Sequence, residues 1–311
     1  MKGIVIKSTG SWYDVINDKG EIIPCRLRGK FRISGNKNTN PVVVGDNVDF
    51  ILAEDQSGYI TEIEKRKNYI DRKSTKLSKI NHLIASNIDM AFLVITLKEP
   101  RTSSGFVDRF LIAAEGFRIP VCLVFNKIDL CTPKEFEVVH TIAAMYTQVG
   151  YDTVLASTIQ NIGMDELKEK MQGKVSLFSG HSGVGKSAII NTLYPDLNLK
   201  IGEISAYHQK GKHTTTFAQM FPIGQDTFIV DTPGIKEFGL IQYSKEEIRD
   251  YFPEIRAYNN CCKFNNCLHV HEPECAVIKA VEEGKIPSSR YANYLAILQD
   301  NDLKISDWEL L

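Results

Sequence analysis

One glycine-rich segment has the composition of a phosphate-binding loop, and it reads Gly180-His181-Ser182-Gly183-Val184-Gly185-Lys186-Ser187. It fits the pattern G-x-x-x-x-G-K-[ST], follows the apolar run Val175–Ser179 and opens a helical stretch. In such a loop, backbone N–H groups turn toward phosphate oxygens and the helix N-terminus adds a favourable dipole. We expect Lys186 to reach the β- and γ-phosphates of a nucleoside triphosphate and Ser187 to bind Mg²⁺.

A second segment predicts that the base is guanine. Asn126-Lys127-Ile128-Asp129 follows the buried strand Val121–Phe125, and the carboxyl end of such a strand is where open α/β sheets bind ligands. The Asp129 carboxylate can accept from the N1–H and the exocyclic amine of guanine, which adenine lacks at that edge, while the Lys127 stem covers the base and Asn126 ties the loops together. Further along, Ala156-Ser157-Thr158 ends another strand and can supply a backbone N–H to guanine O6.

Two short motifs after the phosphate-binding loop complete a GTPase set. Asp231-Thr232-Pro233-Gly234 ends an apolar strand, so Asp231 would lie behind the Mg²⁺ shell and the Gly234 N–H could sense the γ-phosphate. A threonine of Lys212-His213-Thr214-Thr215-Thr216 could close over Mg²⁺. Many GTPases carry a water-orienting glutamine after D-x-x-G, but this chain has Ile235. Either hydrolysis is slow in isolation or another residue serves, and His213 is the local candidate.

The order of these motifs is unusual. In ordinary GTPases the phosphate-binding loop comes first, whereas here the N-K-x-D element and its serine precede it and the two switch motifs follow it. The sequence therefore predicts a circularly permuted GTPase domain. The second switch then leads directly into the C-terminal region, so that movement on GTP hydrolysis could be passed to it.

A cluster of cysteine and histidine near the C-terminus predicts a metal site. Four of the seven cysteines lie between Cys261 and Cys275, and four potential ligands form C-x4-C-x-H-x5-C: Cys262, Cys267, His269 and Cys275. Three thiolates and one imidazole are typical of a structural Zn²⁺ site, in which four protein ligands leave no open position for catalysis. Cys261 and His271 are neighbours that could substitute for one of them.

The elements that carry these motifs fall into three regions. The first seventy or so residues contain five short, β-branched or aromatic segments separated by turn residues, which predicts a small barrel of the OB type. Apolar strands then alternate with helical segments, as in a parallel sheet covered by helices, and the last part is mainly helical. We predict an OB domain over 1–70, a basic linker over 71–86, a permuted α/β GTPase domain over 87–240 and a zinc-binding helical domain over 241–311.

One edge of the predicted barrel carries alternating positive charge. Four basic residues occupy every second position, and they are Arg26, Arg28, Lys30 and Arg32. In an extended strand they share one face, which suits contact with RNA phosphates, although a solvated strand face is the alternative. The following segment, Lys65–Lys79, is also rich in lysine and arginine and is expected to be a basic connector.

Composition excludes several other classes of protein. The chain has 311 residues, a formal net charge of −1 and 24% charged residues, which is typical of globular proteins and does not indicate a general affinity for nucleic acid. No apolar run approaches the length of a membrane span, and the N-terminus does not resemble a signal peptide. We expect a cytoplasmic monomer that does not contact membranes.

Taken together, the motifs resemble one family over nearly the whole chain. The barrel, the permuted motif order, G-K-H-T-T, D-T-P-G-x-x-E-F-G and C-x4-C-x-H-x5-C are similar to those of the RsgA/YjeQ family of small-ribosomal-subunit-dependent GTPases. The resemblance implies a bacterial GTPase that binds GTP or GDP, the 30S subunit and its 16S rRNA late in assembly, and is stimulated by that subunit. It also implies a role in hydrolysis for His213, Mg²⁺ binding by Thr215 and zinc ligation by the four residues named above. The Ser157-Thr158 loop departs from the commoner pattern of a small residue followed by lysine.

Two rival interpretations remain at this point. In the first, the protein is a GTP-switched regulator that recognises another protein through its zinc module, with the barrel as a scaffold. In the second, the phosphate-binding loop serves an ATPase or kinase, and the N-K-x-D element argues against that activity.

Overall fold

The computed structural model of the chain describes residues 1–27, 41–72, 82–197, 218–231 and 243–299. These residues form two compact units, and the chain passes between the units more than once. The first unit contains Met1–Ala91, Lys168–Phe178 and Tyr194–Ile235, and the second contains Phe92–Leu167, Ser179–Leu193 and Lys236–Leu311.

The strands of the described residues are β1 (Lys2–Ser8), β2 (Tyr13–Asn17), β3 (Ile22–Leu27), β4 (Asn47–Leu52), β5 (Gly58–Ile63), β6 (Tyr69–Arg72), β7 (His82–Ser86), β8 (Met90–Ile95), β9 (Val121–Phe125), β10 (Asp152–Leu155), β11 (Val175–Ser179), β12 (Gln219–Gly224) and β13 (Thr227–Asp231). The α-helices are α1 (Ser104–Phe117), α2 (Pro133–Val149), α3 (Met164–Met171), α4 (Lys186–Leu193), α5 (Lys245–Asp250), α6 (Pro253–Arg256), α7 (Ala276–Glu282) and α8 (Ser288–Leu298). No helix within the described ranges is long and apolar enough to cross a membrane.

The first five strands close into the predicted barrel. β1 pairs with β2, β2 with β3 and β4 with β5 in antiparallel fashion, β3 and β5 are parallel, and β4 returns to β1. Inward-facing residues form an apolar core, made of Val5, Tyr13, Val15, Ile23, Cys25, Val42, Val48, Phe50 and Ile60. β4 begins at Asn47, and just before it the buried Asp46 accepts from the Val43 N–H at 2.9 Å.

The predicted basic linker differs from the structure, because its two ends are strands. β6 and β7 pair in antiparallel fashion, and Ala85 of β7 forms a bridge with Val44 of the barrel. The Ser86 N–H donates to Val44 O at 2.9 Å, and Asn87 Nδ2 donates to Gly45 O at 2.8 Å. These bonds pack the hairpin against the barrel.

The remaining strands of the first unit extend the barrel sheet. β11 and β13 are parallel, β12 and β13 are antiparallel, and β12 meets β1 where Gln219 lies opposite Lys7. The hairpin formed by β12 and β13 is therefore attached to the barrel through backbone hydrogen bonding.

The second unit contains the parallel pair β9 and β10 with fully buried β9 between β8 and β10. Its helices begin where polar side chains cap them: the Ser103 hydroxyl accepts from the Phe106 N–H, and Thr132 forms a capping box with Glu135. These caps place the first residue of α1 at Ser104 and that of α2 at Pro133. An exposed ion pair with Lys98 and hydrogen bonds from Thr132 lower the pKa of Glu135 to about 2.

The C-terminal helices share a core of their own. Ser244 and Glu247 form a capping box at the start of α5. Apolar residues from α5 to α8 pack together with Ile112 of α1, and the fully buried ones include Phe252, Ile255, Val277 and Tyr294. This helical module therefore packs directly on the α/β part of the second unit.

The packing of the barrel predicts the effect of one substitution. The Arg66 guanidinium donates to both carboxylate oxygens of Asp46 at 2.6 and 2.7 Å, and the Asp46 side chain has no exposed surface. We expect Arg66→Met to lower the free energy of unfolding by ~3 kcal/mol, because it leaves a buried carboxylate without its cation. Denaturant unfolding followed by the fluorescence of Trp12 in the barrel measures this loss.

Lys2→Met is the matched control, because it removes the ion pair between Lys2 and Glu64, whose side chains are 74% and 38% exposed. Such exposed pairs contribute at most ~1 kcal/mol. Equal effects of the two substitutions would contradict the structural role assigned to Arg66.

Candidate nucleotide and metal sites

The glycine-rich segment adopts the conformation of a phosphate-binding loop between β11 and α4. Gly180 has φ +135°, and a Cβ there would lie 2.2 Å from the carbonyl oxygen of Val94. The Lys186 ammonium group donates to Gly180 O and His181 O, both at 2.8 Å, so it folds back over the loop. Lys186 and Ser187 are buried in the first turn of α4, whereas Ser182 and Gly183 at the crown of the loop are exposed.

Asn126 connects this loop to the base-recognition segment. Its Nδ2 donates to Val184 O at 2.8 Å, and its Oδ1 is buried without a hydrogen-bond partner. Gly185 has φ +101°, and a Cβ there would lie 2.3 Å from Asn126 Nδ2. The third glycine of the loop is therefore required by the close approach of the asparagine, and Asn126 ties the two loops together as the sequence predicted.

Ser157 fixes the carboxylate that would read the base. Its hydroxyl donates to Asp129 Oδ1 at 2.5 Å and also accepts from the Gln160 N–H. The Ser157 N–H donates to Ile162 O at 3.0 Å, so it is already used within the protein. Ser157 thus orients Asp129 with its side chain, and its backbone N–H is not the group that would meet guanine O6.

Lys127 lies at the end of β9 in a left-handed conformation, with φ +61°. Its ammonium group donates to Glu99 O in the loop that joins β8 to α1. In that loop Pro100 approaches the phosphate-binding loop, since a Cβ on Gly183 would lie 3.4 Å from Pro100 Cδ. The 96–103 loop therefore borders both the base-recognition segment and the phosphate-binding loop.

Several predicted residues lie outside the described part of the chain. They are Arg28, Lys30, Arg32, His213, Thr215 and Gly234. The backbone of Asp231 is described as the last residue of β13. Arg26 is on the exposed face of β3, as the alternating pattern predicted, and its guanidinium carbon lies 3.7 Å from the ring centroid of Trp12.

The four predicted metal ligands converge. One potential donor atom from each of Cys262, Cys267, His269 and Cys275 lies within 4.8 Å of the others. The Sγ atoms of Cys267 and Cys275 are 3.8 Å apart, and His269 Nδ1 is 3.3 Å from Cys275 Sγ. Two thiolates bound tetrahedrally with Zn–S distances of ~2.3 Å lie about 3.8 Å apart. The cluster therefore fits a tetrahedral metal ion, while Cys261 and His271 are exposed and do not belong to it.

The titration of these side chains agrees with a role as ligands. Burial lowers the pKa of His269 to about 4, and the nearby Arg249 adds to that shift, so its imidazole is neutral at neutral pH. Burial raises the pKa of the Cys267 thiol to about 12 and also raises that of Cys275. A cation is required to hold such buried groups as thiolates, and the metal would supply that charge.

A surrounding shell orients the ligands. His269 Nε2–H donates to Asn259 Oδ1 at 2.9 Å, which leaves Nδ1 free to face the thiols. The Glu272 carboxylate accepts backbone N–H groups of Leu268, Val270 and His271. Burial opposes ionisation of Glu272, but these bonds outweigh it and lower its pKa to about 2. The sequence analysis missed Asn259 and Glu272. The position of Glu272 between two predicted ligands could have indicated that its carboxylate accepts hydrogen bonds from the backbone of the ligand loop.

Comparison with known proteins places these features in one group. The model of the RsgA GTPase family matches residues 63–241, and that of the RsgA N-terminal domain matches residues 2–60. A Bacteroides fragilis protein named small ribosomal subunit biogenesis GTPase RsgA is 51% identical over 302 residues, which cover 97% of each chain. A Flavobacterium johnsoniae protein of the same name is 50% identical over 305 residues, which cover 97% of this chain and 94% of the relative.

Two crystal structures are similar over almost the whole chain. YjeQ from Thermotoga maritima has a TM-score of 0.79 and 34% identity, with 96% of this chain and 97% of that chain covered. YloQ, described as a circularly permuted GTPase, has a TM-score of 0.75 and 28% identity, with 96% and 94% covered.

The metal cluster leads to a testable prediction. Cys267→Ala should lose about one equivalent of bound metal and destabilise the helical module, because the binding energy of a structural metal is also folding energy. Cys261→Ala is the matched control, since this neighbouring thiol is exposed and should leave the metal content unchanged. Elemental analysis of the purified proteins measures the metal content of both variants. A full metal content in Cys267→Ala would mean that other residues bind the ion.

Proposed function

The chain belongs to the RsgA family of GTPases, and we propose that it hydrolyses GTP in the course of small ribosomal subunit assembly. The relatives that are about half identical over nearly their full length are named for that role. Their names do not favour the rival interpretation, a regulator that binds another protein through its zinc module.

One observation carries the proposal of a guanine nucleotide site: the hydrogen bond from Asn126 to the carbonyl of Val184 brings the base-recognition loop beside the phosphate-binding loop. Asp129, held by Ser157, would accept from guanine N1–H and its amine, and Lys127 would cover the base. With the Ser157 N–H already used, the N–H of Thr158 is our proposed donor to guanine O6.

The phosphates would lie against the loop from Gly180 to Ser187. Lys186 now satisfies two loop carbonyls, and it would exchange them for β- and γ-phosphate oxygens. Ser187 and Thr215 would bind Mg²⁺, with Asp231 behind them and the Gly234 N–H near the γ-phosphate. Mg²⁺ would neutralise the charge that develops on the phosphates.

Hydrolysis would transfer the γ-phosphoryl group of GTP to water, with GDP as the leaving group. Ile235 has no group that could orient that water, so we assign the task to His213, whose neutral imidazole would accept a hydrogen bond from it. Without a glutamine after D-x-x-G, hydrolysis would be slow until a partner brings His213 to the water. The small subunit and its 16S rRNA are the proposed partner.

Each region of the chain would have its own task. The barrel over 1–70 would contact rRNA through Arg26, Arg28, Lys30 and Arg32, residues 87–240 would bind and hydrolyse GTP, and residues 241–311 would hold one structural Zn²⁺. Support for the barrel's role comes from the exposed guanidinium of Arg26 beside Trp12, a pair of side chains that suits phosphate contact and base stacking.

The guanine assignment is tested by Asp129→Asn. We expect a preference for xanthine over guanine nucleotides, because xanthine presents a carbonyl where guanine has its amine and the amide can donate to it. Each charge-assisted bond lost should cost ~1.5–3 kcal/mol of GTP affinity. Nucleotide titration of the parent, Asp129→Asn and the exposed control Asp165→Asn measures this, and unchanged GTP binding in Asp129→Asn would contradict the proposal.

The role in assembly is tested by hydrolysis in the presence of ribosomal particles. We expect 30S subunits, and not 50S subunits, to co-sediment with the GTP-bound protein and to accelerate hydrolysis. His213→Ala should lose most of that acceleration through a lower kcat while GTP and 30S binding persist. The exposed His140→Ala serves as control. Full recovery of the rate in His213→Ala at saturating 30S, in a single-turnover measurement, would end the catalytic assignment.

A further inference from the structure

Helix α1 contacts the phosphate-binding loop near its N-terminus. Phe106, in the first turn, lies with its ring centroid 4.0 Å from that of His181, and the two rings are tilted by 31°. His181 is the second residue of the loop, and its carbonyl oxygen is one of the two that accept from Lys186. Helix α1 therefore contacts the phosphate-binding loop at the residue whose carbonyl oxygen holds Lys186.

Two residues further along, α1 is anchored to the C-terminal helical module by a buried ionic cluster. Asp108 has no exposed surface and accepts hydrogen bonds from Arg290, from Asn293 Nδ2 at 2.6 Å and from the Tyr146 hydroxyl at 2.8 Å. Arg290 also donates to Glu254 at 2.6 and 3.1 Å. Its guanidinium carbon lies 4.5 Å from the ring centroid of Phe252.

Helix α8, which carries Arg290, is itself attached to the metal-ligand loop. The Tyr291 hydroxyl donates to the carbonyl oxygen of His269 at 2.6 Å, and the Tyr294 hydroxyl donates to that of Leu268 at 2.5 Å. Direct contacts thus lead from the ligand loop through α8 and α1 to the phosphate-binding loop.

Stability alone does not account for such a cluster. A buried ion pair is often no more stabilising than well-packed apolar residues of the same volume, but its hydrogen bonds hold the partners in one geometry. Here the carboxylate has three donors from α2 and α8, which fix the rotation of α1 and its position along its axis. Because Phe106 and Asp108 lie within one turn of α1, the ring and the carboxylate must move together.

We propose that Phe106 is a positioning residue for the phosphate-binding loop, and that the bond between Arg290 and Asp108 lets the C-terminal module set nucleotide affinity through α1. This inference rests on the nucleotide site proposed above. In this proposal the helical module changes the affinity for the nucleotide, although it contributes no group that binds the phosphates.

The test is a double-mutant cycle on nucleotide affinity. Phe106→Leu and Arg290→Met should each weaken binding of fluorescent GDP by about threefold to tenfold, the range expected for residues that transmit coupling. The double variant should be no weaker than the poorer single variant, because both substitutions interrupt the same path from the helical module through α1 to the loop. Phe106→Tyr keeps the ring and should restore the affinity of the parent.

Arg256→Gln is the matched control. Arg256 also joins α1 to the helical module, through an exposed ion pair with Glu115 at 3.2 Å, but Glu115 lies far along α1 from Phe106. Loss of this exposed ion pair should leave GDP affinity unchanged. Metal content and thermal unfolding of every variant identify any that has simply failed to fold, and Phe106→Leu, which leaves the ionic cluster intact, tests the proposal even if Arg290→Met unfolds.

The outcomes separate the two proposals. If the parent does not bind GDP, the nucleotide site itself is wrong. If the parent binds GDP but the effects of the two substitutions multiply, or Phe106→Leu binds as tightly as the parent, the coupling through α1 is overturned. An equal loss in Arg256→Gln would also overturn it, since any damage to the packing of the module would then have the same effect.

Discussion

The hydrogen bond from Asn126 to the carbonyl of Val184 is the constraint on which the nucleotide site depends. It joins two loops that chain order separates, with the base-recognition segment first and the phosphate-binding loop later. The close approach leaves no room for a Cβ at Gly185, and the neighbouring strand leaves none at Gly180. Permutation of the chain therefore preserves the site, because these contacts depend on which loop ends meet and not on the order in which they are made.

The metal cluster is likewise organised by hydrogen bonds to its polar groups. Burial raises the pKa of the Cys267 thiol and lowers that of the His269 imidazole, so a cation would be needed to hold the sulfur as a thiolate. Asn259 fixes the imidazole, and Glu272 satisfies N–H groups of the loop that carries His269. The tyrosine hydroxyls of α8 bind the carbonyls of that same loop. A short segment with little regular structure is thereby held in a single conformation.

The sequence predicted best those features whose residues are close together along the chain. The phosphate-binding loop lies between a strand and a helix, and the four predicted metal ligands lie close together, because the residues of each motif are close in sequence. The hairpin of β6 and β7 was missed, because the segment was interpreted from its basic composition alone. The hairpin is also held by a contact that is distant in sequence, the bond from the Ser86 N–H to Val44 O. The role of the Ser157 hydroxyl and the pairing of Asp108 with Arg290 depend on residues distant in sequence, and no local pattern announces them.

The separation between Asp108 and Arg290 also affects how the protein is made. The two residues are 182 positions apart. At ~5–20 residues per second, a ribosome adds Arg290 roughly 9–36 s after Asp108. During that interval α1 lacks its cation, and a carboxylate destined for the interior must remain in water. The buried packing of α1 around Asp108 can therefore be completed only after α8 has been synthesised.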